Sequence, residues 1–491
     1  MSKIGPREAS ILPVANVPRS QRFTWTRVWV FALSIGSLAL IYGPWRRLLP
    51  SRDKLQISSE YAPSDHLANF RSCAINNLLE TGLPFMDQVS PIDVLEFEHR
   101  RNRLAQALVA EDADAFVVEP GYTFKYYGNV SQPEWEVWEP EERPFLMVVV
   151  PFRETTTGQI KANTTFLCPS FEAQRARLLG MPFQDEIQIV PWEEHWNPYE
   201  TLQQSDVFKG LNRPPRLMVD EEMRDFIQRG LGNAGFDILG LQGHVEEVRQ
   251  IKTPKEIDIL RAVNTGTVEA VRQMRKCLYP GLTETQIANV LDDTLRAAGM
   301  DPFFDIVLFD ENASNPHGGT NGSKVLEAET FVLIDVGAHL YGYSSDICRT
   351  FFPPFFPEPA EDEVIPPHIA AKLRVWDIVF EAQTRSIQRM RENSTAASVD
   401  IAARDVITQA GHGDAFTHRV GHGIGIKAHE SPYLNKGNIG TLLKTGMTFT
   451  SEPGIYLVDQ FGVRHEDILL VDGDEEPHLL TGNRARGPWD P

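Results

Sequence analysis

The stretch FVLIDVGAHLYGYSSDICRTFF, residues 331–352, delivers two carboxylates, Asp335 and Asp346, from what reads as a buried hairpin. A turn centred between Leu340 and Tyr341 makes positions whose numbers sum to 681 face each other, and 335 plus 346 is 681. The two side chains then share a face, with Cβ atoms roughly 4.5 to 5.5 Å apart. Two bare carboxylates so placed repel, and burial forces a proton onto one of them. A divalent cation between them removes both costs. The apolar FVLI before Asp335 and ICRTFF after Asp346 fit poorly with a solvated hairpin edge.

A second pair lies downstream. A hairpin around Asp459 sets Glu452 opposite Glu466, and four acids converging on one small volume make sense around more than one cation. Nitrogen ligands are at hand in THRVGHGIGIKAHESP, where His418, His422 and His429 stand among glycines that disfavour a helix and allow close backbone approach. Mixed Asp, Glu and His ligation suits manganese, iron, cobalt or zinc better than calcium or magnesium. Two such ions can activate water and polarise a carbonyl while a carboxylate carries the proton. The chemistry is metal-assisted hydrolysis.

The elements that must position these residues follow from periodicity and caps. Thr253-Pro254-Lys255-Glu256 is a capped helix start, with Ile257, Leu260, Val263, Val271, Met274 and Leu278 behind it. A second helix starts at Thr283 and stops at Gly299. The order recurs with helices over 367–391 and 398–410, then strands over 447–451 and 463–471 that bring Glu452 and Glu466. The lag is 117 from Asp335 to Glu452 and 120 from Asp346 to Glu466, which reads as two similar halves with the site between them. Upstream, 93–248 mixes helix and strand patterns, with strands at 145–150, 187–190 and 217–219, and reads as a separate α/β domain. The catalytic domain runs over 249–482 and a tail over 483–491.

A chain of 491 residues is too long for one core. Its net charge of −20 argues against a nucleic-acid partner. The four cysteines, Cys73, Cys168, Cys277 and Cys348, have no CxxC spacing and read as buried thiols, with one disulfide left open. Residues 28–45, VWVFALSIGSLALIYGPW, carry no charge between Arg27 and Arg46, and a spanning helix needs roughly 17 to 25 such residues. The expectation is a tail over 1–27, a single transmembrane helix over 28–45 as the link to the membrane, and a tether over 46–92. Glycosylation sequons at Asn129, Asn163, Asn312, Asn321 and Asn393 lean the orientation toward a cytosolic N-terminus and a lumenal or extracellular body.

Taken together, IDVGAHLYGYSSDICRTF, GHGIG, SEPG and GVRHED resemble, in order and spacing, the pita-bread metallopeptidases, specifically the Xaa-Pro aminopeptidase and prolidase branch. RQIKTPKEIDILRAV looks like the helix entering their catalytic domain and ERPFLMVVV like part of their creatinase-like N-terminal domain. The resemblance, over residues 93–480, implies an α/β fold: a creatinase-like domain followed by a pita-bread domain of pseudo-twofold ααβ repeats. It implies that Asp335 binds one metal, that Asp346 and Glu466 bridge the pair, and that His422 and Glu452 complete the other. Glu452 would be the general acid/base, His317 (in NPHGG) and His429 would steady substrate and tetrahedral intermediate, His418 would line the pocket, and Arg464 would support a ligand or touch substrate. The implied activity is hydrolysis of an Xaa-Pro bond at a free N-terminus, with two divalent ions, manganese first and cobalt, zinc or iron as alternatives. The implied partner is a peptide with penultimate proline, and a homodimer is left open. The alternative is a small-molecule hydrolase or lyase on the same scaffold.

Overall fold

In a computed structural model of the chain, residues 63–491 are described, apart from 88, 136–143 and 361. The transmembrane helix expected over 28–45 lies outside the described residues. No helix among those described is long and apolar enough to cross a membrane. The single-pass membrane assignment, and the lumenal or extracellular body that depended on it, therefore have no structural support and are withdrawn.

Part of the expected tether is folded. Helix α1 (Pro63–Glu80) buries Phe70, Ala74 and Leu78, one apolar face at helical spacing that a short polar stretch conceals in composition. Next comes α2 (Val94–Ala110), whose first turn is capped by the Asp93 carboxylate accepting from the Glu96 N–H.

An α/β layer follows, made of β1 (Ala115–Val118), α3 (Tyr122–Gly128), β2 (Leu146–Arg153), β3 (Ile160–Pro169), α4 (Ala173–Leu178), β4 (Gln188–Trp192), α5 (Pro198–Gln204), β5 (Arg216–Val219), α6 (Asp225–Asn233), β6 (Asp237–Leu239) and α7 (Gly243–Gln250). Its six strands lie in the order β4-β3-β2-β1-β5-β6. The pairs β1·β2 and β2·β3 are antiparallel and the rest parallel. The three strands read from sequence fall within this sheet. One of its faces packs on Trp192, Leu202, Ile227 and Leu231. The other joins a core that continues through α1 and the first half of the catalytic region, so the two regions are one packed unit.

The catalytic region opens with α8 (Pro254–Arg275) and α9 (Glu284–Ala297), and both show the complete capping box read from Thr253/Glu256 and Thr283/Gln286. Helix α1 packs against this pair. Cys73 of α1 is disulfide-bonded to Cys277, just beyond α8, while Cys168 and Cys348 are buried thiols. Strands β7 (Asp301–Phe309), β8 (Val332–Leu340), β9 (Tyr343–Ser344) and β10 (Ile347–Phe351) form an antiparallel sheet with β8 central.

The hairpin register differs from the sequence reading by two residues. Its turn is Tyr341-Gly342, both with positive φ (50° and 87°), so Leu340 pairs Tyr343 and Asp335 pairs Cys348. A two-residue turn of this hand needs left-handed backbone at both central positions, and glycine supplies the second without a Cβ clash. The slip is even, so Asp346 stays on the Asp335 face, displaced diagonally.

The second half repeats the plan: α10 (Pro367–Arg389) and α11 (Ala396–Gln409), then β11 (Gly421–Gly423), β12 (Glu430–Leu434), β13 (Thr448–Ser451), β14 (Gly454–Leu457), β15 (Phe461–Arg464), β16 (Asp467–Leu470) and β17 (His478–Leu479). The five-stranded sheet runs β12-β11-β13-β16-β17, and β14 pairs β15. Ser451 pairs Asp467 and Gly454 pairs Arg464, a register in which paired numbers sum to 918. Glu452 and Glu466 have that sum, as the hairpin around Asp459 requires. Val379, Ala403, Leu434, Phe449 and Leu469 centre this half's own core.

Candidate metal centre

Three groups of side chains bring ligand atoms within 4.8 Å of one another: Asp335, Asp346 and Glu466; His422, Glu452 and Glu466; and Asp346, His422 and His429. Each half of the catalytic region contributes. Asp335 sits mid-strand on β8 and Asp346 at the break before β10, where its backbone N–H donates to Asn264 Oδ1 of α8 (3.2 Å). Glu452 and Glu466 flank the small hairpin β14–β15. His422 is central in β11, whose glycines let it lie against β13: a Cβ at Gly421 would stand 2.2 Å from the Thr450 carbonyl oxygen. The His422 N–H donates to Thr450 Oγ1 (3.0 Å).

The tautomer of His422 follows from its partners. Nδ1–H donates to Gly423 O (3.0 Å), which leaves Nε2 unprotonated. That lone pair faces Glu452 Oε1 at 3.3 Å and Asp346 Oδ2 at 3.6 Å. Burial, with His429 alongside, holds His422 well below the usual histidine range, so the imidazole does not carry the proton that could reconcile these atoms. Asp335 Oδ1 and Glu466 Oε1 are buried without a hydrogen-bond partner. Burial first, and then Asp335 and Glu452, push Asp346 well above the carboxylate range. Glu466 is raised by burial and then by Asp346, and Glu452 reaches about 7, mainly by burial. Lone pairs, orphaned oxygens and mutually repelling acids are the donor set that divalent cations complete.

The remaining expected residues divide. His429 is exposed at the edge of the cluster, its ring centroid 4.2 Å from that of His422 and Nε2 3.9 Å from Asp346 Oδ2. His317 is exposed on the turn after Asn315; its charge bears on both His418 and His429. His418 is outside the ligand groups: Nδ1–H donates to Arg419 O and Nε2 accepts from the Tyr456 hydroxyl, both at 2.7 Å. Arg464 is buried and donates to Asp335 Oδ2, to Tyr456 Oη (2.8 Å) and to Pro316 O (3.1 Å). It supports a ligand, and its Nε is buried and unpartnered. Tyr456, the link between His418 and Arg464, was missed in the sequence. It gave only a strand-like pattern.

A model of Metallopeptidase family M24 matches residues 258–473. An uncharacterised peptidase of Schizosaccharomyces pombe is 37% identical over 432 residues, covering 87% of this chain and 90% of its own length. The chain belongs to metallopeptidase family M24. Among solved structures, the peptidase resembles the dipeptidase PepE of Mycobacterium ulcerans (TM-score 0.66, 26% identity, 82% of this chain and 99% of that one). It also resembles a prolidase of Thermococcus sibiricus (TM-score 0.65, 28% identity, 80% and 99%). The pita-bread fold of the Xaa-Pro branch is thus this peptidase's fold, joined to the α/β layer read from residues 93–248.

Proposed function

We propose that the peptidase hydrolyses the Xaa-Pro bond at the N-terminus of di- or oligopeptides, using two divalent ions, manganese first. The observation that carries the reading is the convergence of Asp335, Asp346, His422, Glu452 and Glu466, with Asp335 Oδ1 and Glu466 Oε1 buried and without a hydrogen-bond partner. Asp335, Asp346 and Glu466 would hold one ion, and His422 and Glu452 with the shared carboxylates the other. Bound there, the ions supply Lewis acidity toward a peptide carbonyl and toward water.

The protein's own groups do the rest. Glu452, raised to about 7, is suited to taking and returning a proton near neutral pH. His429, exposed beside Asp346, and His317, exposed next to the Pro316 that Arg464 holds, would donate to an oxygen that gains negative charge. Arg464 holds Asp335 in place, and Tyr456 and His418 hold Arg464. The preference for proline is supported by the prolidase neighbour and by the order of the motifs.

The test uses the full chain, because α1 belongs to the core. Purified with manganese, it is assayed on an Xaa-Pro dipeptide and an Xaa-Pro-Yaa tripeptide. Release of the N-terminal residue is expected from at least one, abolished by a chelator and restored by manganese. Asp346→Asn should cut the rate by more than about 100-fold, since even partners outside the ligand set cost 10- to 100-fold. Activity indifferent to chelation would defeat the metal mechanism. No release from either peptide would favour the small-molecule alternative.

A further inference from the structure

His429 sits in the irregular connection between β11 and β12, and its side chain is 58% exposed. Its Nε2 stands 3.9 Å from Asp346 Oδ2, beyond hydrogen-bond reach, so that contact does not lock the ring. An exposed ring on an irregular segment keeps one place only if the backbone beneath it is held. On its near side the segment is tied to the first hairpin: the Ser344 N–H donates to Gly425 O (2.8 Å) and the Ser344 hydroxyl to Ile426 O (3.2 Å). The residues flanking His429 itself are held from elsewhere.

Lys427, two residues before His429, donates to Glu221 and to Glu222 Oε1 (2.8 Å), both in the α/β layer just past β5. Glu221 also accepts from Arg249 Nη2 of α7 (3.1 Å), and Arg249 Nε stands 3.3 Å from Oε2 of Glu430, the residue after His429. Lys427, Glu221, Arg249 and Glu430 thus close a ring of ion pairs around the histidine. The members differ in what their loss would do. Glu430 is buried between Arg249 and Lys252, and removing it strands two buried cations. Glu221 and Glu222 are partly exposed, at 37% and 48%, so removing Lys427 leaves acids that water can solvate. The Lys427 contacts add little to stability, yet they join the layer to the backbone two residues from His429.

We propose that Lys427, held by Glu221 and Glu222, is a positioning residue that fixes the His429 ring beside Asp346, so that the α/β layer takes part in hydrolysis without touching the peptide. The inference rests on the role given to His429 above and adds what makes that role effective. A group that stabilises a developing charge must already stand in place when the charge forms, and a misplacement of about 1 Å can cost up to about 100-fold in rate.

The experiment is a double-mutant cycle on the manganese-loaded full chain, with Lys427→Met and His429→Ala singly and together, assayed on Ala-Pro and Ala-Pro-Ala. Lys427→Met should lower kcat by about 10-fold, with KM within about twofold and manganese stoichiometry unchanged. In the His429→Ala background the same change should cost less than about twofold, because there is no ring left to misplace. Lys427→Arg, which keeps the charge and can reach both acids, should recover most of kcat. If Lys427→Met does not fold, Glu221→Gln with Glu222→Gln cuts the same contacts from the layer side and completes the cycle. An equal loss with and without His429, which a merely structural role would give, overturns the proposal and leaves the Xaa-Pro reading standing. So does a His429→Ala enzyme as fast as wild type. No release from either peptide by wild type overturns both.

Discussion

Arg464 shows how a single side chain outside the ligand set can govern it. Its guanidinium joins Asp335 to Tyr456 and, through that hydroxyl, to His418, so three positions read separately in the sequence act as one chain of hydrogen bonds. Arg464→Gln keeps a polar group but removes the charge that faces Asp335. Manganese affinity should fall by about 10- to 100-fold, measured by titration calorimetry, with a smaller change in global stability. Affinity equal to wild type would show that Asp335 is oriented by its strand alone.

At the scale of elements, the two hairpins explain why the acids converge. In the second, the register read around Asp459 is the one observed. In the first, Tyr341-Gly342 takes the turn, and the two-residue slip is harmless to the site because it returns each side chain to the same face. Strand β11 depends instead on having no side chain where it meets β13. Gly421→Ala would drive a methyl into a backbone oxygen of Thr450, which cannot rotate away. The expected cost is about 1–3 kcal/mol in urea unfolding, with lowered metal occupancy as His422 is displaced.

Strand β8 also carries His339, two alternations beyond Asp335. Its ring stacks on Phe303 at 4.2 Å, and burial lowers it to about 4. Being depressed in the folded state, it takes up a proton on unfolding below its ordinary value of about 6.5. Its contribution is therefore complete above about 6.5 and is lost as pH falls toward 4. His339→Phe, which keeps the stacking, should flatten the fall of Tm over that interval. A pH profile unchanged by the substitution would remove His339 from the account.

Across the whole molecule, the α/β layer and the catalytic region meet at the segment carrying His429. Lys427 pairs with Glu221 and Glu222, Glu430 with Lys252 and Arg249, and Ser431 Oγ accepts from Gln250 (2.9 Å), so the layer grips the residues on both sides of that histidine. At the opposite end of the chain's order, Cys73–Cys277 ties α1 to the catalytic helices across 204 residues. Closing so long a loop restricts the unfolded chain. Cys73→Ser should lower stability by about 2–4 kcal/mol in guanidinium unfolding and leave hydrolysis at 25 °C unchanged. An unchanged midpoint would mean that Phe70, Ala74 and Leu78 dock the helix unaided.

What the sequence by itself determined was local: the caps at Thr253 and Thr283, the helices behind them, the two-half repeat, and the candidate acids and histidines, because each is written in residues close together in the chain. The same local reading supplied the apolar run 28–45, but an uncharged run alone does not place a helix in a bilayer. Tertiary structure decided which turn set the first hairpin, that part of the expected tether joins the core, that Cys73 meets Cys277, and that Arg464 is held by Asp335, Tyr456 and Pro316. Those outcomes depend on which distant groups compete for the same donors and the same space, and that competition exists only once the chain is packed.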